Sequence, residues 1–324
     1  MALRLGKLTL PHGLFLAPMA GYTDRAMRLV CRECGAEHTT TEMISAKAVV
    51  FGDKKTYNLA RIGTDEGCVS LQLFGSEPPV IREAAGRLSD PVGEGYAAPV
   101  AIDINMGCPV KKIFSNGEGS ALMRSPELIH DIVKAAVSAS SLPVTVKIRA
   151  GIDSDHINAV ECAIAAEEGG AALVAVHGRT RVAMYGGSAD LSVVAAVKRA
   201  VGIPVIANGD ITDPLTAAAA LRDTGADGIM IGRAAVGDPF VFAAVTAYLE
   251  GKPYTPPTLD MKKEMALRQL RYAIEDKGEA VAVAECRKQI ATYFKGFRGA
   301  ARLRGEINSL YTYADVAAAI AKVD

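Results

Sequence analysis

Polar and reactive side chains recur where short apolar runs end in this 324-residue chain. Lys147 and Arg149 end one such run, His177 and Arg179 end another, and Cys108 lies in a turn after a third. An amine, imidazole or thiol in that setting can move protons or attack an electrophile, because burial and neighbouring charges shift the pKa of each group. The pattern predicts one reactive site to which several segments contribute.

Lys147 and Gln72 are candidates for cofactor binding. An amine at the end of an apolar strand is costly without a partner, so Lys147 either faces an anionic or electron-rich cofactor or forms a Schiff base with a carbonyl substrate. A structural lysine paired with Glu42 or Asp103 is the alternative. Gln72 both donates and accepts hydrogen bonds, which suits the edge of a heteroaromatic ring, and an internal bond between strands is the other interpretation.

Cys108 differs from the other five cysteines because it lies in the turn Asn105-Met106-Gly107-Cys108-Pro109. With an ordinary pKa of about 8.5, its thiol is mostly protonated at neutral pH and can donate a proton. A nearby His177 would instead favour a nucleophilic thiolate. An inert buried thiol is the third alternative.

The apolar runs alternate with amphipathic helical segments, which predicts a parallel sheet covered by helices. Ser125 with Pro126 begins one helix, Asp213 with Pro214 begins another, and Gly225 ends the second. Eight strands in about 235 residues predict a closed (β/α)8 TIM barrel, with a doubly wound open sheet as the alternative. The predicted strands are Leu14–Ala17, Glu37–Thr41, Ser70–Phe74, Val100–Ile104, Pro143–Ile148, Leu173–Val176, Pro204–Ala207 and Gly228–Ile231.

The last two predicted strands run into glycine before a helix, at Asn208-Gly209-Asp210 and at Gly232-Arg233. Glycine leaves backbone N–H groups uncovered, and the dipole of the next helix points to the same place. The two turns together predict a phosphate site. Glycines that only permit tight turns are the alternative.

A proline-rich linker at Pro253, Pro256 and Pro257 is followed by a sequence that predicts only helices. We therefore predict a barrel domain over residues 1–249 and a small helical domain over residues 250–324. The net charge of the chain is zero (36 − 36), but residues 250–324 carry 13 − 10 = +3 and residues 1–249 carry 23 − 26 = −3.

Segment 287–304 of the helical domain is basic and contains no acidic residue. Because cations neutralise phosphates and aromatic rings stack on bases, it is a candidate nucleic-acid surface. A solvated helix face with aromatic core anchors is an equally good interpretation. The cations are Arg287, Lys288, Lys295, Arg298, Arg302 and Arg304, interleaved with Tyr293, Phe294 and Phe297.

Composition excludes several classes of protein. Balanced charge argues against binding of a polyanion by bulk charge, and the apolar runs are shorter than the ~20 residues that a membrane-spanning helix needs. Six cysteines without framework spacing, and the lack of a secretory leader, predict a cytoplasmic protein. Cys31 and Cys34 lack a second pair at metal-site spacing, so we expect two helix cysteines and no metal.

Seven motifs occur in an order that is typical of one family. The chain resembles the tRNA-dihydrouridine synthases, in particular their bacterial B (NifR3-like) branch, firmly over residues 10–245 and more weakly to the end. The motifs are Leu16-Ala17-Pro18-Met19-Ala20-Gly21-Tyr22-Thr23-Asp24, Gln72-Leu73-Phe74-Gly75, Asp103-Ile104-Asn105-Met106-Gly107-Cys108-Pro109-Val110-Lys111-Lys112, Val146-Lys147-Ile148-Arg149, His177-Gly178-Arg179-Thr180-Arg181, Asn208-Gly209-Asp210-Ile211 and Met230-Ile231-Gly232-Arg233-Ala234.

The resemblance implies an FMN enzyme that reduces the C5–C6 double bond of a uridine in tRNA and uses NADPH to reload the flavin, and it implies no stable protein partner. Hydride from flavin N5 would reach C6, and Cys108 would give a proton to C5. The implied flavin contacts are Ala17, Pro18, Met19, Gln72, Lys147 and His177, with Asn208, Gly209, Asp210, Gly232 and Arg233 at the phosphate. The implied substrate contacts are Asn105, Arg149, Arg179 and Thr180 at the base and Lys288, Lys295, Arg298 and Arg302 on the tRNA.

Some residues depart from the family pattern, and other functions compete with the implied one. The departures are Glu118, Val182, Leu191, Gln289 and Thr292, and they leave open which uridine is reduced and how tRNA is held. The competing hypotheses are an FMN barrel enzyme for a free pyrimidine, a tRNA-binding protein with little catalysis, and a flavin-free Schiff-base lyase that uses Lys147. The basic segment 287–304 argues against the first, because a free-base enzyme does not need it.

Overall fold

The computed structural model describes residues 2–324. The strands are β1 (Leu3–Leu5), β2 (Leu8–Leu10), β3 (Leu14–Leu16), β4 (His38–Ser45), β5 (Val69–Phe74), β6 (Ala101–Met106), β7 (Val144–Gly151), β8 (Leu173–Thr180), β9 (Val205–Asn208) and β10 (Gly228–Ile231). Strands β3 to β10 form a closed parallel barrel in chain order, with β10 paired back to β3. The predicted TIM barrel is confirmed, and each predicted strand overlaps one barrel strand.

Helices lie between the barrel strands and follow the last of them. They are α1 (Arg25–Glu33), α2 (Ala46–Val50), α3 (Lys54–Leu59), α4 (Pro78–Arg87), α5 (Lys111–Ser115), α6 (Pro126–Ala139), α7 (Ala159–Glu168), α8 (Leu191–Ala200), α9 (Pro214–Thr224), α10 (Val241–Leu249), α11 (Leu259–Lys277), α12 (Glu279–Thr292), α13 (Ala300–Glu306) and α14 (Tyr313–Ala321). In residues 2–324 no helix combines the length and apolarity needed to cross a membrane.

The predicted helix signals act as caps. The Ser125 side chain accepts a hydrogen bond from the backbone N–H of Leu128, and Pro126 takes the first helical position of α6. Asp213 caps α9 in a capping box, and Gly225 ends α9 in the left-handed conformation that glycine adopts without strain. These local signals fix where each helix begins or ends.

A hairpin that the sequence analysis missed closes the N-terminal end of the barrel. Leu3, Leu5 and Leu10 of β1 and β2 pack with Phe15 and Ile206 in one buried cluster. The alternation of leucines around a turn at Gly6 and Lys7 was the available signal. With this end covered, access to the barrel interior is from the C-terminal ends of the strands.

Helices α11 to α14 pack against the barrel near its first loop. The Lys277 ammonium at the end of α11 is 2.7 Å from an Asp24 carboxylate oxygen and 2.8 Å from one of Glu285. Tyr293 and Phe294 are 1% and 0% exposed, so the stacking interpretation is wrong for these two rings. They are core anchors because the end of α12 turns their side chains away from solvent.

Candidate functional site

A cavity of about 750 Å³ opens at the C-terminal ends of the barrel strands. Every residue predicted as the acid or as a cofactor contact lines it, and so do Asn105 and Arg149 of the predicted substrate set. The first group is Ala17, Pro18, Met19, Gln72, Cys108, Lys147, His177, Asn208, Gly209, Asp210, Gly232 and Arg233. Parallel strands bring these distant segments together because all their carboxyl ends meet at one rim.

Lys147, on β7, is held on the cavity floor by Asn208 at the end of β9, two strands away in the barrel. Its Nζ lies 3.1 Å from Oδ1 of Asn208, whose Nδ2 donates to the carbonyl oxygen of Met230 at 2.7 Å. Burial, and then the nearby Arg149 guanidinium, lower the pKa of Lys147 to about 8. Since Asn208 occupies one N–H of the ammonium group, the others remain to donate to a ligand. The structural pairing with Glu42 or Asp103 considered from sequence is not the hydrogen bond that forms.

A chain of side-chain hydrogen bonds runs from a buried carboxylate to the turn that carries Cys108. Asp103 accepts bonds from Gln72 Nε2 at 2.7 Å and from the Thr145 hydroxyl at 2.6 Å. Gln72 Oε1 accepts from Asn105 Nδ2 at 2.8 Å, and Asn105 Oδ1 accepts from the backbone N–H of Cys108 at 2.9 Å. A carboxylate only accepts and a backbone N–H only donates, so both ends of the chain impose the same orientation on the two amides.

The direction of these hydrogen bonds determines which polar groups the cavity floor presents to a ligand. Each amide nitrogen donates one of its two N–H groups within this set of hydrogen bonds. Gln72 keeps its second N–H, and that of Asn105 faces only the Met43 sulfur at 3.9 Å, a weak acceptor that a ligand oxygen can replace. Together with the ammonium group of Lys147, these make a floor of donors. Such a floor fits a ligand whose edge carries carbonyl oxygens or unprotonated ring nitrogens.

Cys108 presents a partly buried thiol to the same cavity. Besides Asn105, the turn is held by the Ser120 hydroxyl, which donates to the Cys108 carbonyl at 2.8 Å, and by Arg149, whose Nε donates to the Gly107 carbonyl at 2.8 Å. Burial raises the pKa of the Cys108 thiol, against the opposing effect of Arg149 and Lys147. At neutral pH the thiol is therefore protonated and able to serve as an acid.

His177 on β8 is a neutral imidazole. Burial, followed by the cations Lys147, Arg149 and Arg179, lowers its pKa to about 2. Its Nε2 lies 3.5 Å from the Arg179 guanidinium. Among the hydrogen bonds of residues 2–324, none joins the Cys108 thiol to His177, so the geometry favours a thiol over the nucleophilic ion pair.

The turn after β9 brings the backbone close to its neighbours. Gly209 has φ +119°, and a Cβ there would lie 2.6 Å from the Cβ of Ala189, so a side chain would clash as well as strain the backbone. The Asp210 carboxylate accepts from Arg179 at 2.7 Å and from the Ala189 N–H at 2.8 Å, and lies 3.6 Å from Arg233. Asp210 is thus positioned to orient two arginines.

The sequence model of the dihydrouridine synthase (Dus) family matches residues 15–323 of this chain. The chain belongs to the dihydrouridine synthase family. It is 40% identical over 309 residues to tRNA-dihydrouridine synthase B of Pseudomonas aeruginosa, covering 95% of this chain and 91% of that one. It is also 38% identical over 325 residues to the probable tRNA-dihydrouridine synthase of Treponema pallidum, covering 98% and 94%. The predicted family resemblance is confirmed.

Solved structures at low sequence identity share the barrel fold. Histamine dehydrogenase from Rhizobium sp. 4-9 matches with a TM-score of 0.54 and 14% identity, over 89% of this chain and 50% of that one. A variant of NCR from Zymomonas mobilis matches with a TM-score of 0.55 and 16% identity, over 81% and 94%. This dihydrouridine synthase therefore shares its architecture with proteins of very different sequence.

Two residues predicted as substrate contacts make hydrogen bonds within this dihydrouridine synthase. Arg179 donates to the carbonyls of Gly186 at 3.0 Å and Gly187 at 2.7 Å, and the Thr180 hydroxyl accepts from the Ala183 N–H at 3.2 Å. Within the part of the chain that the structure describes, neither residue lines the main cavity. Both tether the loop that follows β8.

Sequence analysis missed several residues that line the cavity of this dihydrouridine synthase, including Met43, Tyr185, Thr212 and Thr292. Tyr185 is 53% exposed, and the Arg233 guanidinium lies 4.8 Å from its ring centroid. An aromatic residue before the Gly186-Gly187 pair was the available signal. Thr292 was singled out only as a departure from the family pattern, and it places α12 at the mouth of the cavity.

The predicted tRNA contacts of this dihydrouridine synthase lie beyond the barrel, with Lys288 on α12, Arg302 on α13, and Lys295 and Arg298 in the turn between these helices. Lys288 and Lys295 line a second, smaller cavity. Arg298 and Arg302 are exposed, and Arg302 donates to the carbonyl of Lys322 at 3.0 Å. Over residues 2–324 no group of three or more His, Cys, Asp or Glu side chains is arranged to hold a metal ion.

Proposed function

We propose that this protein is an FMN-dependent tRNA-dihydrouridine synthase that reduces the C5–C6 double bond of specific uridines in tRNA. The observation that carries the proposal is the joint placement of a protonated thiol, Cys108, and a donor-only floor around Lys147 in one cavity. Relatives named tRNA-dihydrouridine synthase over nearly the full length of the chain support the same activity.

The residues of the cavity fit FMN. Ala17, Pro18 and Met19 form an apolar wall for the isoalloxazine ring, and the donors of Gln72 and Lys147 match the acceptors on its polar edge. The phosphate would bind where Asn208, Gly209, Asp210, Gly232 and Arg233 lie together. A volume of about 750 Å³ is within the range of roughly 300–1,000 Å³ that is common for ligand pockets.

The chemistry of the proposed reaction divides between the cofactor and the chain. When bound, FMN would supply hydride from N5 to C6 of the uracil ring, and NADPH would restore it to the reduced form. Cys108 donates a proton to C5, so that one hydride and one proton complete the reduction of the double bond. Charge that develops at O4 of the base is stabilised by donors on the cavity wall, for which the free N–H of Asn105 and the guanidinium of Arg149 are the candidates.

The substrate reaches this cavity only as an unstacked base. Extrusion of a uridine from folded RNA costs a few kcal/mol, and contacts between cations and the RNA backbone offset that cost. Residues 250–324, with a net charge of +3, form the proposed tRNA-binding domain, and residues 1–249 the FMN-binding catalytic domain. Because tRNA is a cytoplasmic molecule in bacteria, the proposed reaction takes place in the cytoplasm.

The deciding experiment supplies purified protein, FMN and NADPH to unmodified tRNA and maps dihydrouridine by position. We expect dihydrouridine at a small set of positions, with no product when NADPH or FMN is omitted. Reduction of free uracil or uridine at a rate that matches or exceeds that on tRNA would contradict the proposal and favour a free-pyrimidine enzyme.

A further inference from the structure

The end of α12 contacts two loops that line the proposed flavin site. The first loop, residues 17–24, follows β3 and forms the apolar wall of the main cavity. The last loop, residues 232–240, follows β10 and begins with Gly232 and Arg233 of the predicted phosphate set. Because β3 and β10 are paired in the barrel, the two loops start side by side at its rim.

A relay of buried side chains joins α12 to the first loop. Gln289 of α12 donates from Nε2 to the backbone carbonyl of Tyr22 at 3.4 Å. Its Oε1 accepts from Gln269 Nε2 at 2.6 Å, and Gln269 Oε1 accepts from the Tyr293 hydroxyl at 2.7 Å. Gln289, Gln269 and Tyr293 are all buried, so water competes little for these bonds. We call the three side chains the amide relay.

The direction of the amide relay is fixed by its end at the first loop. A backbone carbonyl only accepts, so Gln289 turns its N–H groups toward Tyr22 and its oxygen toward Gln269. Gln269 must then donate to Gln289, and its own oxygen takes the Tyr293 hydroxyl. Movement of the Tyr22 carbonyl away from α12 would leave a buried amide N–H without a partner, which is costly. The relay therefore holds the first loop against α12.

The first loop is a tight turn, so a fixed Tyr22 also fixes Met19. The backbone N–H groups of Tyr22 and Thr23 both donate to the carbonyl of Met19, at 2.9 and 3.0 Å. Lys277 at the end of α11 holds the end of the same loop, 2.7 Å from an Asp24 carboxylate oxygen. Since Met19 and Tyr22 line the main cavity, contacts from the helical region set the position of its apolar wall.

The last loop meets the same end of α12 at Gly237. Gly237 has φ +76°, and a Cβ there would lie 2.7 Å from the backbone carbonyl carbon of Thr292 and 2.7 Å from the backbone nitrogen of Tyr293. Glycine is needed at this position for the conformation and for the close approach of the two backbones. Thr292 also lines the main cavity, so the end of α12 forms part of the cavity wall.

We infer that the end of α12 is a structural part of the flavin site, with Gln289 as the residue that positions the first loop. The inference rests on the proposed function for the identity of the ligand as FMN. It gives the helical domain a second role, because the helix that presents Lys288 to solvent also holds the flavin-facing loop through Gln289. The departure of Gln289 from the family pattern makes this contact a feature of the present chain.

The test measures FMN binding by the full-length protein after removal of FMN. Gln289→Met keeps the length of the side chain but removes its donor and its acceptor. Gln289→His replaces the amide by an imidazole, whose neutral form also has one donor and one acceptor. Tyr272→Phe is the control, because it removes a hydrogen bond from α11 to Glu33, which lies at the end of α1 far from the first loop.

We expect Gln289→Met to bind FMN about fivefold more weakly, the ratio that corresponds to one ordinary hydrogen bond. The visible circular dichroism of the bound flavin should also change, because the apolar wall moves. Gln289→His should recover both properties, and Tyr272→Phe should match the wild type in both. Affinity for tRNA, measured by filter binding, should be unchanged in all three variants, because Gln289 is buried.

A second pair of variants tests the contact with the last loop and remains informative if Gln289→Met fails to fold. Gly237→Ala places a Cβ against the backbone of α12. Gly251→Ala, at φ +65°, imposes a similar backbone strain, but its Cβ would meet no atom within 4 Å among residues 2–324. We expect FMN affinity to fall in Gly237→Ala and to stay at the wild-type value in Gly251→Ala.

Wild-type FMN affinity in both Gln289→Met and Gly237→Ala, with thermal unfolding that shows both to be folded, would overturn the inference. Equal weakening of FMN binding in Tyr272→Phe would also overturn it, because that result indicates a general loss of stability. These outcomes are separable from the proposed function, since FMN affinity is measured without turnover. A wild-type protein that binds FMN but forms no dihydrouridine contradicts only the proposed function.

Discussion

At the scale of single residues, Cys108 is the group on which the proposed proton transfer depends. Replacing Cys108 by Ala removes the acid but none of the cavity's hydrogen-bond donors, so FMN affinity and flavin reduction by NADPH are expected to be unchanged. Oxidation of the reduced flavin by tRNA is expected to slow by about 10²–10⁴-fold, which is the usual contribution of a positioned acid. Stopped-flow measurement of the two half-reactions separates these effects, and equal slowing of both would refute the role.

The raised pKa of the Cys108 thiol gives this step a pH dependence. The acid form persists through neutral pH, so loss of the acid is expected to slow oxidation of the flavin by tRNA only above about pH 8.5, the ordinary pKa of a thiol. Lys147, with a pKa of about 8, titrates just below that value, so the part of the pH profile that belongs to Cys108 is the decline that the Cys108→Ala variant lacks. His177 contributes no transition there, because its pKa of about 2 keeps it neutral. The Cys108→Ala variant, followed in parallel, should lack the alkaline decline.

The lowered pKa of Lys147 predicts how the stability of the FMN-free protein depends on pH. Its pKa is about 8 in the folded state and near 10.4 when unfolded, so between these values the unfolded state binds more protons. The contribution of Lys147 to the free energy of unfolding therefore rises with pH across that window, and by at most about 3 kcal/mol. Lys147→Met should stabilise the FMN-free protein more at pH 7 than at pH 10. Denaturant unfolding at the two pH values tests this, and a pH-independent difference would contradict it.

At the scale of elements, the pairing of β5 with β6 sets Gln72 opposite Asp103. The orientation of the Gln72 and Asn105 amides on the cavity floor depends on this pairing. Asp103→Asn replaces an acceptor-only group by one that also donates, so Gln72 and Asn105 lose their fixed orientation. Turnover on tRNA is expected to drop at least tenfold. Thr145→Val is the matched control because it removes one bond to the carboxylate and leaves that orientation intact. Equal turnover of the two variants would contradict the role of these hydrogen bonds in orienting Gln72 and Asn105.

The strand interiors predicted the fold from the sequence, and the strand ends predicted the candidate site. The apolar runs predicted all eight barrel strands, and the polar residues at their ends predicted the lining from Ala17 to Arg233, because one topology brings all those ends to one rim. The internal hydrogen bonds of Arg179 could not be predicted, since only the folded loop shows that it donates to Gly186 and Gly187. Tyr185 and Thr292 come from a loop and a distant helix whose path the periodicity does not determine.

At the scale of the whole molecule, the net charge of zero is the sum of −3 over residues 1–249 and +3 over residues 250–324. The +3 of residues 250–324 is concentrated further, since Lys277 and Arg268 are used in pairs with barrel carboxylates. Burial of Tyr293 and Phe294 leaves the cations of segment 287–304 as the exposed part of that surface. We therefore expect binding of tRNA to depend on contacts with a few of these cations and not on the overall charge of the protein.

Charge reversal on this surface tests that expectation. Arg298 and Arg302 are exposed, so their replacement by Glu adds repulsion of the RNA backbone with little effect on the core. We expect tRNA affinity to fall at least tenfold at low salt and the salt dependence to flatten by about 0.7–0.9 per lost contact. Reduction of the flavin by NADPH should be unaffected, because these arginines are proposed to contact only tRNA. Unchanged tRNA affinity across the salt series would instead assign the RNA contacts to the barrel rim, where Lys111, Lys112 and Arg124 are the exposed cations beside the Cys108 turn.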